Sequence, residues 1–199
     1  MADQYSRFEA LARGEESGRD FRVRSWQREG GTVVVALHGG RIEPGTSEIA
    51  EAIAGPDFSF YAFEGAKARH NGRLHITSTR FDEPRCLNLV ANAERVVTIH
   101  GEDSRDKVVF LGGRDADALT RLRGTLERRE FCVRIHRSPG LRGLDELNIC
   151  NRGTRRAGIQ LELSRGLRRS FFRSLSTAGR AARTEHFDEF VAAVREAIT

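Results

Sequence analysis

The 199-residue chain predicts an α/β fold: one domain, a twisted, mostly parallel sheet with helices on both faces. Three observations carry that prediction. The run Thr32-Val33-Val34-Val35-Ala36-Leu37 is β-branched and continuously apolar, as a strand covered on both faces must be. Strand-like runs alternate with helical patterns along the chain, the order that crossover connections produce. The length suffices for one such domain with a real core and is short for two.

The elements follow in order. Tyr5 to Ala12 reads as a short helix, and Phe21 to Trp26 alternates as a half-buried strand does. After the strand at Thr32–Leu37, Thr46-Ser47-Glu48 opens a helix through Ala54, its hydroxyls able to satisfy free backbone N–H groups. Phe58 to Phe63 and Leu74 to Thr77 read as strands, Glu83 to Ala93 as a helix with Pro84 in its first turn, and Val96 to Ile99 as a strand. Val108 to Leu111 is a further apolar strand. Asp115 to Arg129 has Ala118, Leu119, Leu122 and Leu126 at helical spacing between an acidic first turn and a basic last turn. Cys132 to Ile135 and Gly158 to Leu163 are strands. The stretch between them, Ser138 to Ala157, has few helical or strand signals and reads as a loop over the site. Phe171 and Phe172 fit a helix packing its phenylalanines inward, and Glu185 to Ile198 is an amphipathic closing helix.

Chemistry is concentrated where these strands end. His38-Gly-Gly-Arg-Ile-Glu43-Pro-Gly-Thr-Ser-Glu48 follows the first buried strand directly, and α/β proteins keep their sites beyond the carboxyl ends of strands. Arg95-Val96-Val97-Thr98-Ile99-His100-Gly101 repeats the pattern of apolar strand, histidine and glycine, so both imidazoles can reach one rim. Two imidazoles and the Glu43 carboxylate are a donor set for zinc, which in catalytic sites takes three protein ligands. Singly, each histidine also reads as a strand-end residue satisfied by hydrogen bonds. Glu162 interrupts the apolar strand Ile159-Gln160-Leu161-Glu162-Leu163; it is either a general base beside a metal or part of an alternating edge strand with Gln160, Glu162 and Ser164 in water. His75 is open between a partner of the site, a substrate contact and a core-edge residue.

Taken together, His38 to Glu48, Leu74-His-Ile-Thr-Ser-Thr79, Phe81-Asp-Glu-Pro84, Thr98-Ile-His-Gly101, Leu147-Asn-Ile-Cys-Asn-Arg-Gly153 and Gln160-Leu-Glu-Leu-Ser-Arg-Gly-Leu167 resemble the zinc-dependent poly-γ-glutamate hydrolase family, also labelled phage-related replication proteins. The resemblance covers nearly the whole chain in the right order. It implies a zinc-carboxypeptidase-like α/β fold with zinc held by His38, Glu43 and His100, and with Glu162 as catalytic base. The spacing of His38 and Glu43 follows this family and departs from the His-x-x-Glu of ordinary zinc carboxypeptidases.

Charge and composition bound the partners. Residues 105 to 183 hold nineteen Arg and Lys against eight Asp and Glu, and only Lys67 and Lys107 are lysines, so the basic half should face something anionic. An anionic polypeptide substrate and a nucleic acid compete for that role. The basic segments lack interleaved surface aromatics and match no nucleic-acid-binding signature, which disfavours the second. For substrate carboxylates the arginine fork is the suited group, with Arg152 first, Arg165 next, and the Asn151 amide as a further contact. Three widely spaced cysteines, Cys86, Cys132 and Cys150, make no disulfide framework or metal knuckle and suit a reducing compartment. No apolar run in the first thirty residues resembles a signal peptide, and none anywhere approaches a membrane span. The expectation is a soluble, cytoplasmic protein that leaves the cell, if at all, through lysis. A zinc carboxypeptidase or peptidoglycan amidase with another substrate stays open, as does, more remotely, a non-enzymatic basic module binding nucleic acid.

Overall fold

In the computed structural model, which describes residues 3–199, seven strands form one sheet in the order β1-β3-β2-β4-β7-β5-β6. In chain order the elements are α1 (Phe8–Gly14), β1 (Phe21–Trp26), β2 (Thr32–Gly40), α2 (Thr46–Ala54), β3 (Ser59–Gly65), α3 (Pro84–Ala91), β4 (Arg95–Glu102), β5 (Val109–Gly113), α4 (Ala116–Arg128), β6 (Val133–Arg134), β7 (Ile159–Ser164), α5 (Arg165–Ser170) and α6 (Glu185–Ile198). The pairs β3/β2, β2/β4, β4/β7 and β5/β6 are parallel, whereas β1/β3 and β5/β7 are antiparallel. The expected mostly parallel sheet is therefore present, with direction reversed once towards each edge.

Because side chains alternate along a strand, each central strand feeds two cores. Val34 and Ala36 of β2, Val97 and Ile99 of β4, and Leu161 of β7 pack with Ile49 and Ile53 of α2, Leu122 and Leu126 of α4, and Phe187, Phe190 and Val194 of α6. Val33, Val35 and Leu37 of β2 point to the other face, against Leu11 of α1, Phe81, and Cys86 and Val90 of α3. Both faces of β2 are thus apolar, which is why its sequence is a continuous run.

The helices start where their caps dictate. Glu83 accepts from Cys86 N ahead of Pro84, Asp115 accepts from Ala118 N, Ser164 from Leu167 N, and Thr184 from Phe187 N. Gly45 occupies the cap position of α2 with φ of 102°, so the hydroxyls of Thr46 and Ser47 turn to the preceding loop instead.

Two expectations change. Leu74 to Thr77 is not a strand: Asn71–Leu74 forms a 3-10 turn and the residues after it join no ladder, because the carbonyl of Ile76 and the amide of Thr77 are engaged by the side chains of His38 and Asp3. The inward-facing phenylalanines Phe171 and Phe172 are buried as expected, yet the helix before them ends at Ser170. Ser138 to Ala157 is a loop broken only by two 3-10 turns. The cysteines are free; Cys150 is buried and its thiol is pushed up to about 12 by burial, which suits a packing role. Among the described residues no helix is long and apolar enough to cross a membrane.

The layered packing makes a stability prediction. Leu161, fully buried between β4 and β5, should cost about 2–5 kcal/mol when changed to Ala. Exposed Ile135→Ser should stay within about 0.5 kcal/mol of wild type, both read by urea denaturation.

Candidate functional site

The parallel strands β2 and β4 end at the same rim, and that rim gathers the chemistry. The register of β2 against β3 shifts between Ala36 and Gly39, an irregularity of the kind that re-aims a side chain at a strand end. His38 sits there, 2% exposed. Its Nε2 lies 2.9 Å from the carbonyl oxygen of Ile76. A carbonyl only accepts, so the ring hydrogen is on Nε2 and Nδ1 presents a lone pair.

Glu43 returns to that lone pair because the intervening turn is closed by Glu43 N donating to His38 O at 2.8 Å and Thr46 Oγ1 donating to Glu43 O at 2.9 Å. Glu43 Oε1 then lies 3.1 Å from His38 Nδ1, and Oε2 accepts from Gly101 N at 2.7 Å. Glycine is required at 101: a Cβ there would stand 2.9 Å from Glu43 Cβ and 2.6 Å from Arg168 Cζ. One residue back on β4, His100 directs Nδ1 to within 3.3 Å of His38 Nδ1, and its buried Nε2 has no hydrogen-bond partner.

Glu162 completes the group. Its strand β7 pairs in register with β4, His100 opposite Glu162, and the two side chains share a face. Glu162 is 5% exposed, and its Oε1 accepts from Gln160 Nε2 at 3.0 Å. Of the two sequence readings, the water-facing edge strand is excluded, since β7 is central and all six of its residues are buried. The polar face of β7 lies under the 138–157 loop: Gln160 also donates to Leu141 O at 3.1 Å and accepts from Asn148 Nδ2 at 2.9 Å. His38, Glu43, His75, His100 and Glu162, with Ser138, Gly140, Leu141 and Asn148 of that loop, line a cavity of about 510 Å³.

The charges are interlocked. Burial raises the Glu43 carboxyl, but the His38 ring outweighs it and holds the group down at about 2. Burial lowers His38, and the Glu43 charge reverses this, so His38 is raised. Burial first, then His38, brings His100 down to about 3. Glu162 is held well above the carboxylate range by burial, then by the charges of Glu43 and Glu102. A cation held beside Glu43 would offset the Glu43 charge and lower Glu162 again, leaving its carboxylate free to accept a proton.

This donor set fits a cation. Glu43 Oε1 and His100 Nδ1 lie 3.1 and 3.3 Å from the lone pair of His38 Nδ1; only the Nδ1–H tautomer of a neutral His100 can supply a hydrogen there, and either neutral tautomer of His100 strands one buried nitrogen. Tetrahedral zinc with bonds of about 2.0–2.1 Å to nitrogen needs two such nitrogens about 3.3–3.4 Å apart. The His38–His100 separation of 3.3 Å meets that requirement, and their rings are tilted by 57° so that their lone pairs can converge. Distance alone would favour His75, which offers one donor atom within 4.8 Å of donors on His38 and Glu43. Its ring, however, stacks on His38 with centroids 4.0 Å apart and planes 25° off parallel. Near-parallel stacked rings aim their in-plane lone pairs side by side, so His75 packs on the His38 face. Asp3 fixes it there, taking His75 Nδ1 at 2.7 Å, Thr77 N at 2.8 Å and Arg80 Nη2 at 2.7 Å.

The substrate-contact expectations divide. Arg165 is exposed and lines an adjoining cavity of about 620 Å³ with Glu43, His75 and Arg168. Asn151 is not brought to the site: its amide nitrogen donates to Gly143 O and Asp145 O, at 2.7 and 2.8 Å, and its oxygen accepts from Gly158 N at 3.1 Å, which spends the side chain on shaping the loop. Arg152 turns away to the carbonyl of Phe81 at 3.4 Å and lines neither cavity. Sequence reading missed Arg168, fully buried, whose guanidinium donates to Leu163 O at 3.0 Å, Pro44 O at 2.7 Å and Glu102 O at 3.0 Å. It ties the Glu43 loop to the ends of β7 and β4. In a chain with thirty-one arginines nothing marks it out. Asp3 was missed for the opposite reason, as one acid among many near a chain end.

Fold and site together define an α/β protein with an imidazole–carboxylate centre in the crevice beyond the ends of its central parallel strands. The chain belongs to the poly-gamma-glutamate hydrolase family, whose model matches residues 5–193. Among curated proteins it is 37% identical to the UPF0714 protein YndL of Bacillus subtilis over 94% of this chain and 75% of that one. It is 37% identical to YmaC of the same organism, over 97% and 83%, and 34% identical to the SPbeta prophage-derived YoqZ, over 99% and 72%. Two solved structures superpose closely. A bacteriophage poly-gamma-glutamate hydrolase has a TM-score of 0.95 at 29% identity, covering 99% of this chain and 97% of that one; zinc-free YndL has 0.94 at 36%, covering 99% and 98%.

Ring geometry generates a prediction separate from activity. Added divalent metal should raise the Tm of wild type and of His75→Phe, which keeps the stack, and should leave His38→Ala and His100→Ala unmoved. Metal-induced stabilisation that vanishes in His75→Phe alone would make His75 the ligand.

Proposed function

We propose that this protein is a zinc-dependent hydrolase of the γ-amide bonds of poly-γ-glutamate. The observation that carries the reading is that Glu43 Oε1 and His100 Nδ1 lie 3.1 and 3.3 Å from His38 Nδ1, with Glu162 opposite His100 on the neighbouring strand. Family membership, the name of the phage relative and the zinc-free description of YndL support the substrate and the metal.

His38, Glu43 and His100 would hold the zinc. When bound, zinc supplies Lewis acidity for the scissile carbonyl and lowers the pKa of water to about 7 in known hydrolases. The chain's own groups do the rest. Glu162, fixed by Gln160 and facing the cavity, accepts the proton of the attacking water and returns it to the leaving amine. Arg165, on the rim of the adjoining cavity, takes an α-carboxylate of the polymer through its fork. Arg168 has every arm committed to backbone carbonyls and acts by holding the Glu43 loop. Main-chain hydrogen bonds at Ile76 and Gly101 keep the His38 and Glu43 donors aimed, so little reorganisation is required.

Glu162→Gln tests the role at nearly constant shape. Zinc content should stay at wild-type level while kcat on poly-γ-glutamate falls by about 10²–10⁴-fold, the usual share of a general base. Full hydrolysis by a zinc-loaded Glu162→Gln variant would sink the mechanism. Cleavage of α-linked peptides or peptidoglycan amides in preference to the γ-linked polymer would keep the hydrolase and discard the substrate.

A further inference from the structure

Beyond the cavity that holds Arg165 lies a second basic one, of about 380 Å³, lined by Arg22, Arg24, Arg41 and Arg180 with Glu48, Glu64 and Thr177. We propose that it is a remote subsite for the carboxylates of an anionic polypeptide whose reacting bond lies at the Glu43 centre; this rests on the hydrolase reading above.

Arg24 is neutralised by Glu51 and Glu64, and Arg180, buried, by Glu48 at 2.6 Å. Arg22 and Arg41 are exposed and have no carboxylate partner among the described residues. Arg41 is nevertheless positioned, donating to Thr177 Oγ1 at 3.3 Å and Lys67 O at 2.9 Å. The two glutamates of the cavity are thus already matched, and two guanidinium charges remain over.

Ile42 and Ser176 line the Arg165 cavity, and their chain neighbours Arg41 and Thr177 line the remote one, so the Arg41–Thr177 contact forms a saddle between the two. Arg165 therefore lines the cavity that contains Glu43, and Arg41 and Arg22 line the one across the saddle. A polymer bearing one carboxylate per residue presents repeated anions to such a series, and the planar fork of arginine suits each. Because Arg22 and Arg41 are solvent-exposed, each contact is weak singly and acts by accumulation, with marked salt dependence.

The test compares wild type with the double variant Arg22→Ala/Arg41→Ala, using fluorescently labelled long poly-γ-glutamate and an unlabelled γ-glutamyl trimer, with zinc content measured for each protein. The variant should show at least a fivefold rise in KM and in the Kd from anisotropy for the long polymer, and a flatter salt dependence. Its kcat, its kinetics on the trimer and its zinc content should be unchanged. Polymer Kd and KM within twofold of wild type, or an equal loss on the trimer, would overturn the subsite. Loss of duplex DNA binding with polymer binding intact would overturn it too, giving the cavity to nucleic acid. If wild type binds the polymer through these arginines without cleaving it, the hydrolase reading falls and the subsite stands; if it binds no polymer at all, both fall.

Discussion

Two buried imidazoles crowded against a half-buried carboxylate, with His38 Nδ1 and Glu43 Oε1 presenting lone pairs to one another, form an arrangement that positive charge stabilises. Most of what surrounds them follows from that constraint. His38 is prevented from turning its hydrogen inward because Ile76 O holds Nε2, and Glu43 is prevented from leaving because Gly101 N and the closed turn from His38 hold it. The missing Cβ at residue 101 leaves room for both the Glu43 side chain and the Arg168 guanidinium, which stand 2.9 and 2.6 Å from where it would be. The segment after Leu74 joins no ladder, and its carbonyl and amide serve His38 and Asp3.

Arg168 links this centre to the fold. It is a buried cation with no carboxylate at hydrogen-bond distance among the described residues, satisfied by three backbone carbonyls from three separate segments. Burial lowers its pKa, and the nearby Glu43 charge and the hydrogen bonds offset this only in part, so structural and site electrostatics share one group. The loop that brings Glu43 back is therefore pinned at both ends, at His38 by its own backbone and at Pro44 by Arg168.

The sequence made the layered sheet legible because β2 is apolar on both faces and the helices carry their caps and spacing openly. The histidine–glycine endings of β2 and β4 made His38 and His100 legible for the same reason. Glu162 could be read two ways, since strict alternation in Gln160-Leu161-Glu162-Leu163-Ser164 says which residues share a face but not whether that face meets water or a loop. Asn151 and Arg152 misled because polarity in a glycine-bearing loop signals substrate contact and loop architecture alike; the three hydrogen bonds of Asn151 show the second use. Asp3 and Arg168 could not be found, because their roles depend on long-range neighbours that local pattern does not encode. His75 stayed ambiguous until ring orientation was visible.

The carboxamide of Gln160 joins Leu141 and Asn148 on one side to Glu162 on the other. A twenty-residue segment of irregular chain thus borders the cavity while resting on a strand whose pairing it does not enter. Descendants of such a chain can rewrite the roof without disturbing the floor: insertions between residues 141 and 148 would reshape what is admitted and leave the Glu162 carboxyl where it stands. The architecture separates the evolution of selectivity from that of chemistry, with one glutamine as the joint between them.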